Sequence, residues 1–89
     1  IKGDTIEEQV ELTLQNVQRV LACSGATMDD VVKITAYLSD INDFDKYNAI
    51  YKKHFNEQRP ARTTVEAQLW GGILVEIDAI AIKGCGKKG

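Results

Sequence analysis

Arg62, Glu76 and Asn48 are the residues of this chain best suited by type and setting to handle a small anion. Arg62 lies in Pro60-Ala61-Arg62-Thr63-Thr64. An arginine behind a rigid proline, at the start of a β-prone segment, holds its guanidinium at the end of a sheet. A planar fork of donors there suits a carboxylate, which it grips in bidentate fashion. Thr63 or Thr64 can add a hydroxyl or a backbone N–H. Glu76 sits in the middle of the apolar run Leu74-Val75-Glu76-Ile77-Asp78-Ala79-Ile80-Ala81. A carboxylate on a buried face costs free energy unless it is paired. Glu76 and Asp78 share a face, so one or both must meet solvent, a cation or a subunit interface. In a partly desolvated pocket such a group gains proton affinity and can orient or deprotonate water. Asn48 falls between Tyr47 and Ile50 on a helical stretch. Each residue also has an ordinary explanation: a surface arginine paired with an acid, the solvent side of a strand, a solvated helix face.

Other chemistries find less support. His54 is the single histidine, with no Cys or Asp partner at metal-ligand spacing, so it reads as a surface residue and no metal or cofactor is expected. No Ser/His/Asp set and no glycine-rich phosphate loop can be assembled, and Gly71-Gly72 reads as a hairpin turn. Cys23 and Cys85 are isolated and form neither a disulfide framework nor a CxxC pair. A reducing cytoplasm is expected, with Cys23 a small, semi-buried apolar residue. The net charge of −2 argues against a non-specific nucleic-acid binder, which needs a basic face. The apolar runs are too short to span a membrane. Ile1-Lys2-Gly3-Asp4 has no signal-peptide hydrophobic region, lacks a starting Met and opens almost directly into a helix signal. Further residues are therefore expected upstream.

The elements that must position these groups can be read from spacing. The 89 residues support one domain, expected over 1–83 with a disordered tail over 84–89. Such a domain buries roughly 60–70% of its unfolded surface, so self-association would help it. Thr5-Ile6-Glu7-Glu8 has the form of a capping box. Val10, Leu14, Val17 and Leu21 then recur on one helical face, and Gly25 supplies a left-handed stop, which predicts a helix over Ile6–Cys23. Met28-Asp29-Asp30 is a polar bridge. Val31–Leu38 predicts a strand, with Val32, Ile34, Ala36 and Leu38 on one face and Lys33, Thr35 and Tyr37 on the other. Asn42 is a plausible N-cap for a second helix over Asp43–Phe55, whose Phe44, Tyr47 and Phe55 form a core stripe. Asn56 to Arg59 is a polar loop before Pro60. Strands are predicted over Arg62–Gln68 and Ile73–Ile82, the latter with Val75, Ile77, Ala79 and Ala81 opposite Glu76, Asp78, Ile80 and Ile82. The order α-β-α-β-β predicts an α+β layer, two helices on one face of a three-stranded sheet with one edge unfilled.

The ordered string goes further. Asp29-Asp30-Val31-Val32-Lys33-Ile34-Thr35-Ala36-Tyr37-Leu38-Ser39-Asp40, Asn42-Asp43-Phe44, Tyr47-Asn48, Arg59-Pro60-Ala61-Arg62-Thr63-Thr64-Val65-Glu66 and Val75-Glu76-Ile77-Asp78-Ala79-Ile80-Ala81 together resemble the RidA/YjgF/UK114 family. The likeness runs from about Gly3 to Ile82. It implies a chorismate-mutase-like α+β fold, usually a homotrimer, with sites in the clefts between subunits. It also implies hydrolytic deamination of enamines and imines, such as 2-aminoacrylate and 2-iminobutyrate, to 2-keto acids and ammonia without a cofactor. Arg62 matches the arginine that clamps the substrate carboxylate, and Glu76 the glutamate associated with the attacking water. Thr64 stands where many members have Cys and would offer a backbone N–H, and Asn48 matches a polar residue near the cleft. The resemblance also implies N-terminal strands bringing a tyrosine and a Ser-Gly-Gln-type segment. The Leu69-Trp70-Gly71-Gly72-Ile73 turn is shorter than usual and lacks the common Leu-Pro.

The leading expectation is thus an imine deaminase acting on a small anionic substrate, with Arg62 and Glu76 converging on one pocket; the two groups on opposite sides of the sheet, or far apart after assembly of all copies, would leave no reactive centre. A non-catalytic member of the same fold, holding a small carboxylate or a protein partner, is the alternative. An endoribonuclease is disfavoured by the acidic charge and the lack of a basic aromatic surface.

Overall fold

The structure, a computed structural model, describes residues 4–55 and 60–84. Helix α1 (Ile6–Cys23) begins with the expected box: Thr5 Oγ1 accepts from the Glu8 N–H at 3.1 Å, and the Glu8 carboxylate accepts from the Thr5 N–H at 3.3 Å. It ends in a Schellman turn, with Gly25 at φ +82° and the Ala26 N–H donating to the Leu21 carbonyl at 2.9 Å. Strand β1 (Val31–Leu38) follows after a 3₁₀ turn at Met28–Asp30. Helix α2 (Phe44–His54), strand β2 (Ala61–Glu66) and strand β3 (Val75–Ala81) complete the order.

The core is the layer between helices and sheet. Val10 and Leu14 of α1, Val31, Ile34, Ala36 and Leu38 of β1, Tyr47 of α2 and Val75 of β3 are fully buried there. The predicted outward face of β3 is also observed: Glu76, Asp78, Ile80 and Ile82 are exposed.

Several expectations need correction. β1 is the central strand, parallel to β2 on one side and antiparallel to β3 on the other, so the sheet order is β2-β1-β3. Gly71-Gly72 is a turn, with Gly71 at φ +60°, but it closes no hairpin: the connection passes the end of β1, where the Ala67 N–H reaches the Leu38 carbonyl and the Ser39 N–H reaches that of Leu74. Irregular pairing between Val31 and Lys33 opposite β3 puts Val31 in the core and leaves Val32 half-buried. Asn42 caps nothing with its side chain. Instead the Asp40 carboxylate accepts from the Asn42 N–H at 2.9 Å and starts a 3₁₀ turn that leads into α2. Cys23 is exposed rather than semi-buried. The loop over 56–59, Cys85 and the tail beyond it lie outside the described residues.

Candidate functional site

Pairing with β1 decides which way each candidate points. Arg62 is opposite Ile34, and Thr64 opposite Ala36. Cross-strand partners share a face, and Ile34 and Ala36 face the helices, so Arg62 and Thr64 do too. Helix α2 meets them there. Arg62 Nη1 donates to Asn48 Oδ1 at 2.6 Å. The guanidinium carbon lies 4.2 Å from the centre of the Tyr51 ring and 5.8 Å from those of Phe44 and Tyr47. The aromatic stripe of α2 therefore forms the wall against which Arg62 rests, at an edge strand whose residues are almost all exposed.

The electrostatics of this corner follow from burial. The Tyr51 hydroxyl is pushed up to about 12 by desolvation, the nearby Arg62 charge acting the other way. The Tyr47 and Tyr51 hydroxyls are buried without a hydrogen-bond partner among the described residues. A carboxylate docking on Arg62 would meet a cation already set on an aromatic surface, where it competes with water less than on an open loop.

Glu76 goes elsewhere. It is opposite Tyr37, and Asp78 is opposite Thr35, which places both carboxylates on the face turned away from the helices. On that face Tyr37 donates its hydroxyl proton to Asp78 Oδ2 at 3.2 Å, and Lys33 Nζ donates to Thr63 Oγ1 at 2.7 Å. The Tyr37 hydroxyl is pushed up by desolvation and by the Asp78 charge. Glu76 also borders a groove along the outer edge of β3, lined by Thr13, Val17, Leu21 and Ile77. Arg62, Asn48 and Thr64 are thus brought to one side of the sheet and Glu76 to the other. Within a single copy they do not converge: the two groups lie on opposite sides of the sheet, the arrangement expected to leave that copy without a reactive centre.

Residues that the pattern of apolar positions passed over also shape this region. Gln9, buried in α1, donates from Nε2 to the Gly72 carbonyl at 3.1 Å and accepts from the Leu74 N–H at 2.7 Å, fixing the turn that delivers β3. A polar residue one position before Val10 on the buried stripe was the available signal. His54, expected at the surface, is largely buried between the helices and pairs with Glu11 Oε1 at 3.0 Å. Among the described residues no cluster of His, Cys, Asp and Glu could hold a metal ion, and no helix is long and apolar enough to cross a membrane.

Two helices on one face of a mixed β2-β1-β3 sheet, with an arginine at its edge, define a YjgF-like α+β protein. The profile of the Endoribonuclease L-PSP family matches residues 1–83, and the chain belongs to that family, the RidA/YjgF family. A RutC family protein of Pyrococcus abyssi is 45% identical over 84 residues, covering 93% of this chain and 65% of the relative. TdcF of Escherichia coli, named as a candidate reactive intermediate deaminase, is 34% identical, with 88% of this chain and 64% of the relative covered. The solved structure of a YjgF/YER057c/UK114 family member from Mycobacterium tuberculosis superposes with a TM-score of 0.86 at 34% identity, covering 90% of this chain and 70% of that one. The chain spans about two thirds of the length of these relatives.

Proposed function

We propose that the protein hydrolyses small anionic enamines and imines of the 2-aminoacrylate and 2-iminobutyrate type to 2-keto acids and ammonia, at a site completed by two copies of the chain in a homotrimer. The observation that carries this is the seating of Arg62, hydrogen-bonded to Asn48 and stacked on Tyr51, at an exposed sheet edge. The family relationship to a protein named as a candidate deaminase supports the choice of reaction.

In this scheme Arg62 takes the substrate carboxylate through two parallel N–H donors, and the Thr64 backbone N–H adds a third contact. Fixing the imine converts attack by water into an oriented step, which supplies much of the rate. Glu76 of a second copy accepts a proton from the attacking water as its oxygen bonds to the imine carbon. The proton is then returned to nitrogen. The carbinol O–H of the resulting carbinolamine then gives up its proton to the amino nitrogen, the C–N bond breaks as the C=O forms, and ammonia leaves. No cofactor enters the balance. The opposite orientations of Arg62 and Glu76 are what make a second copy necessary.

The test is release of ammonia and 2-ketobutyrate when a threonine dehydratase generates 2-iminobutyrate in place. Arg62→Ala should lose roughly 2–5 kcal/mol of binding, a factor of thirty or more. A protein no more active than this variant would overturn the assignment. The separation of the two groups within one copy also favours a second reading, a non-catalytic carboxylate binder. Binding of 2-ketobutyrate that Arg62→Ala abolishes, with no turnover, would establish it.

A further inference from the structure

Helix α2 presents Asn48 and Tyr51 one turn apart on the same side, and both meet the same guanidinium. We infer that Tyr51 is a positioning residue for Arg62: its ring face is the platform that fixes the plane of the guanidinium, so that a small carboxylate is met by one preset edge of donors. This rests on Arg62 being the carboxylate-binding group of the proposed reaction.

Each part of the seat removes a freedom. Asn48 Oδ1 accepts a hydrogen bond from Nη1 and sets the in-plane rotation. Tyr51, at 4.2 Å, covers one face. Nε and Nη2 are left without a hydrogen bond among the described residues, and together they form the side-on edge that binds a carboxylate in bidentate fashion. The ring itself is immobilised. Tyr51 is 4% exposed and packed between Tyr47, at 5.7 Å and 48°, and Phe55, at 4.9 Å and 39°. A guanidinium on a long side chain at an exposed edge strand would otherwise sample many rotamers and lose that freedom on binding. Burial pushes the hydroxyl up to about 12, so at neutral pH the attraction comes from the ring face of a neutral phenol rather than from a phenolate.

The experiment keeps the ring's shape and changes its electrons. In the full chain, position 51 is replaced by phenylalanine and by phenylalanines carrying increasing numbers of fluorine atoms, which drain the negative ring face. Affinity for 2-ketobutyrate is measured by calorimetry, and the Arg62 Nε–H proton is followed by NMR. Tyr51→Phe should bind like the parent, because the hydroxyl has no hydrogen-bond partner among the described residues and the ring face is kept. Across the fluorinated series the dissociation constant should rise progressively, by roughly tenfold at full substitution. KM for the imine should rise with it while kcat changes little. The Arg62 Nε–H signal of the parent should lie upfield, shifted by the ring, and move downfield along the series. A flat affinity series in proteins with unchanged melting temperatures, while Arg62→Ala abolishes binding, would overturn the role of Tyr51 and leave Arg62 as the carboxylate group. A flat series with Arg62→Ala equally silent would overturn both.

Discussion

Arg62 and Glu76 project from opposite faces of one sheet, the first beside Ile34 and the second beside Tyr37 on the central strand. A β-strand sends successive side chains to opposite faces, so no rotamer change brings the two together. Whatever chemistry they share must use the arginine of one copy and the carboxylate of another.

On the arginine side, Asn48→Ala should weaken binding of 2-ketobutyrate about fivefold, near 1 kcal/mol for one hydrogen bond to a partly exposed cation. The 2.6 Å contact it removes positions Arg62 but leaves the charge in place. Arg62→Lys should bind far worse than Asn48→Ala, because an ammonium cannot reproduce the bidentate fork. Calorimetric titration of the two variants checks the order.

Gln9→Ala should destabilise the fold by about 2 kcal/mol, since it strips both the Gly72 carbonyl and the Leu74 N–H of their partner in a part-buried setting. Gln9→Glu should cost at least as much, since it keeps an acceptor for Leu74 but sets a buried carboxylate against the Gly72 carbonyl. Urea unfolding midpoints at constant slope give the comparison.

The Glu11–His54 contact sets an acid limit. Hydrogen bonding from His54, and then from Gln15, holds the Glu11 carboxyl below its ordinary value of 4.5. A depressed folded-state value means the group's contribution is complete above pH 4.5 and is lost as pH falls through the lower folded value. Glu11→Gln should therefore flatten the acid side of the stability curve below that point and leave its shape above pH 6 unchanged, as read from melting temperature against pH.

Much of this architecture is legible in local patterns. The box at Thr5–Glu8, the stop at Gly25 and the alternation of Val75 and Ile77 with Glu76 and Asp78 all appear where short-range rules put them. Relations between strands were not legible. Alternation tells which residues of one strand share a face, but not which face of another strand they join, so Arg62 and Glu76 could be placed on strands and not on sides. The same gap turned Gly71-Gly72 into an expected hairpin, although β1 lies between β2 and β3. Val32 lost its core place to Val31 because of an irregularity in pairing, which a strict period of two cannot contain. Gln9 escaped because a buried amide looks like any polar helix residue until its long-range partners are known.

The most direct test of a shared site is to mix two inactive proteins. Arg62→Ala and Glu76→Gln are purified separately, unfolded and refolded together in equal amounts, and assayed for ammonia release from 2-iminobutyrate. If each site takes its arginine from one copy and its carboxylate from a neighbour, random mixing restores about a quarter of the sites, and activity should recover to that level while each variant refolded alone stays inactive. Mixed assemblies that form but remain as inactive as their parents would contradict the account.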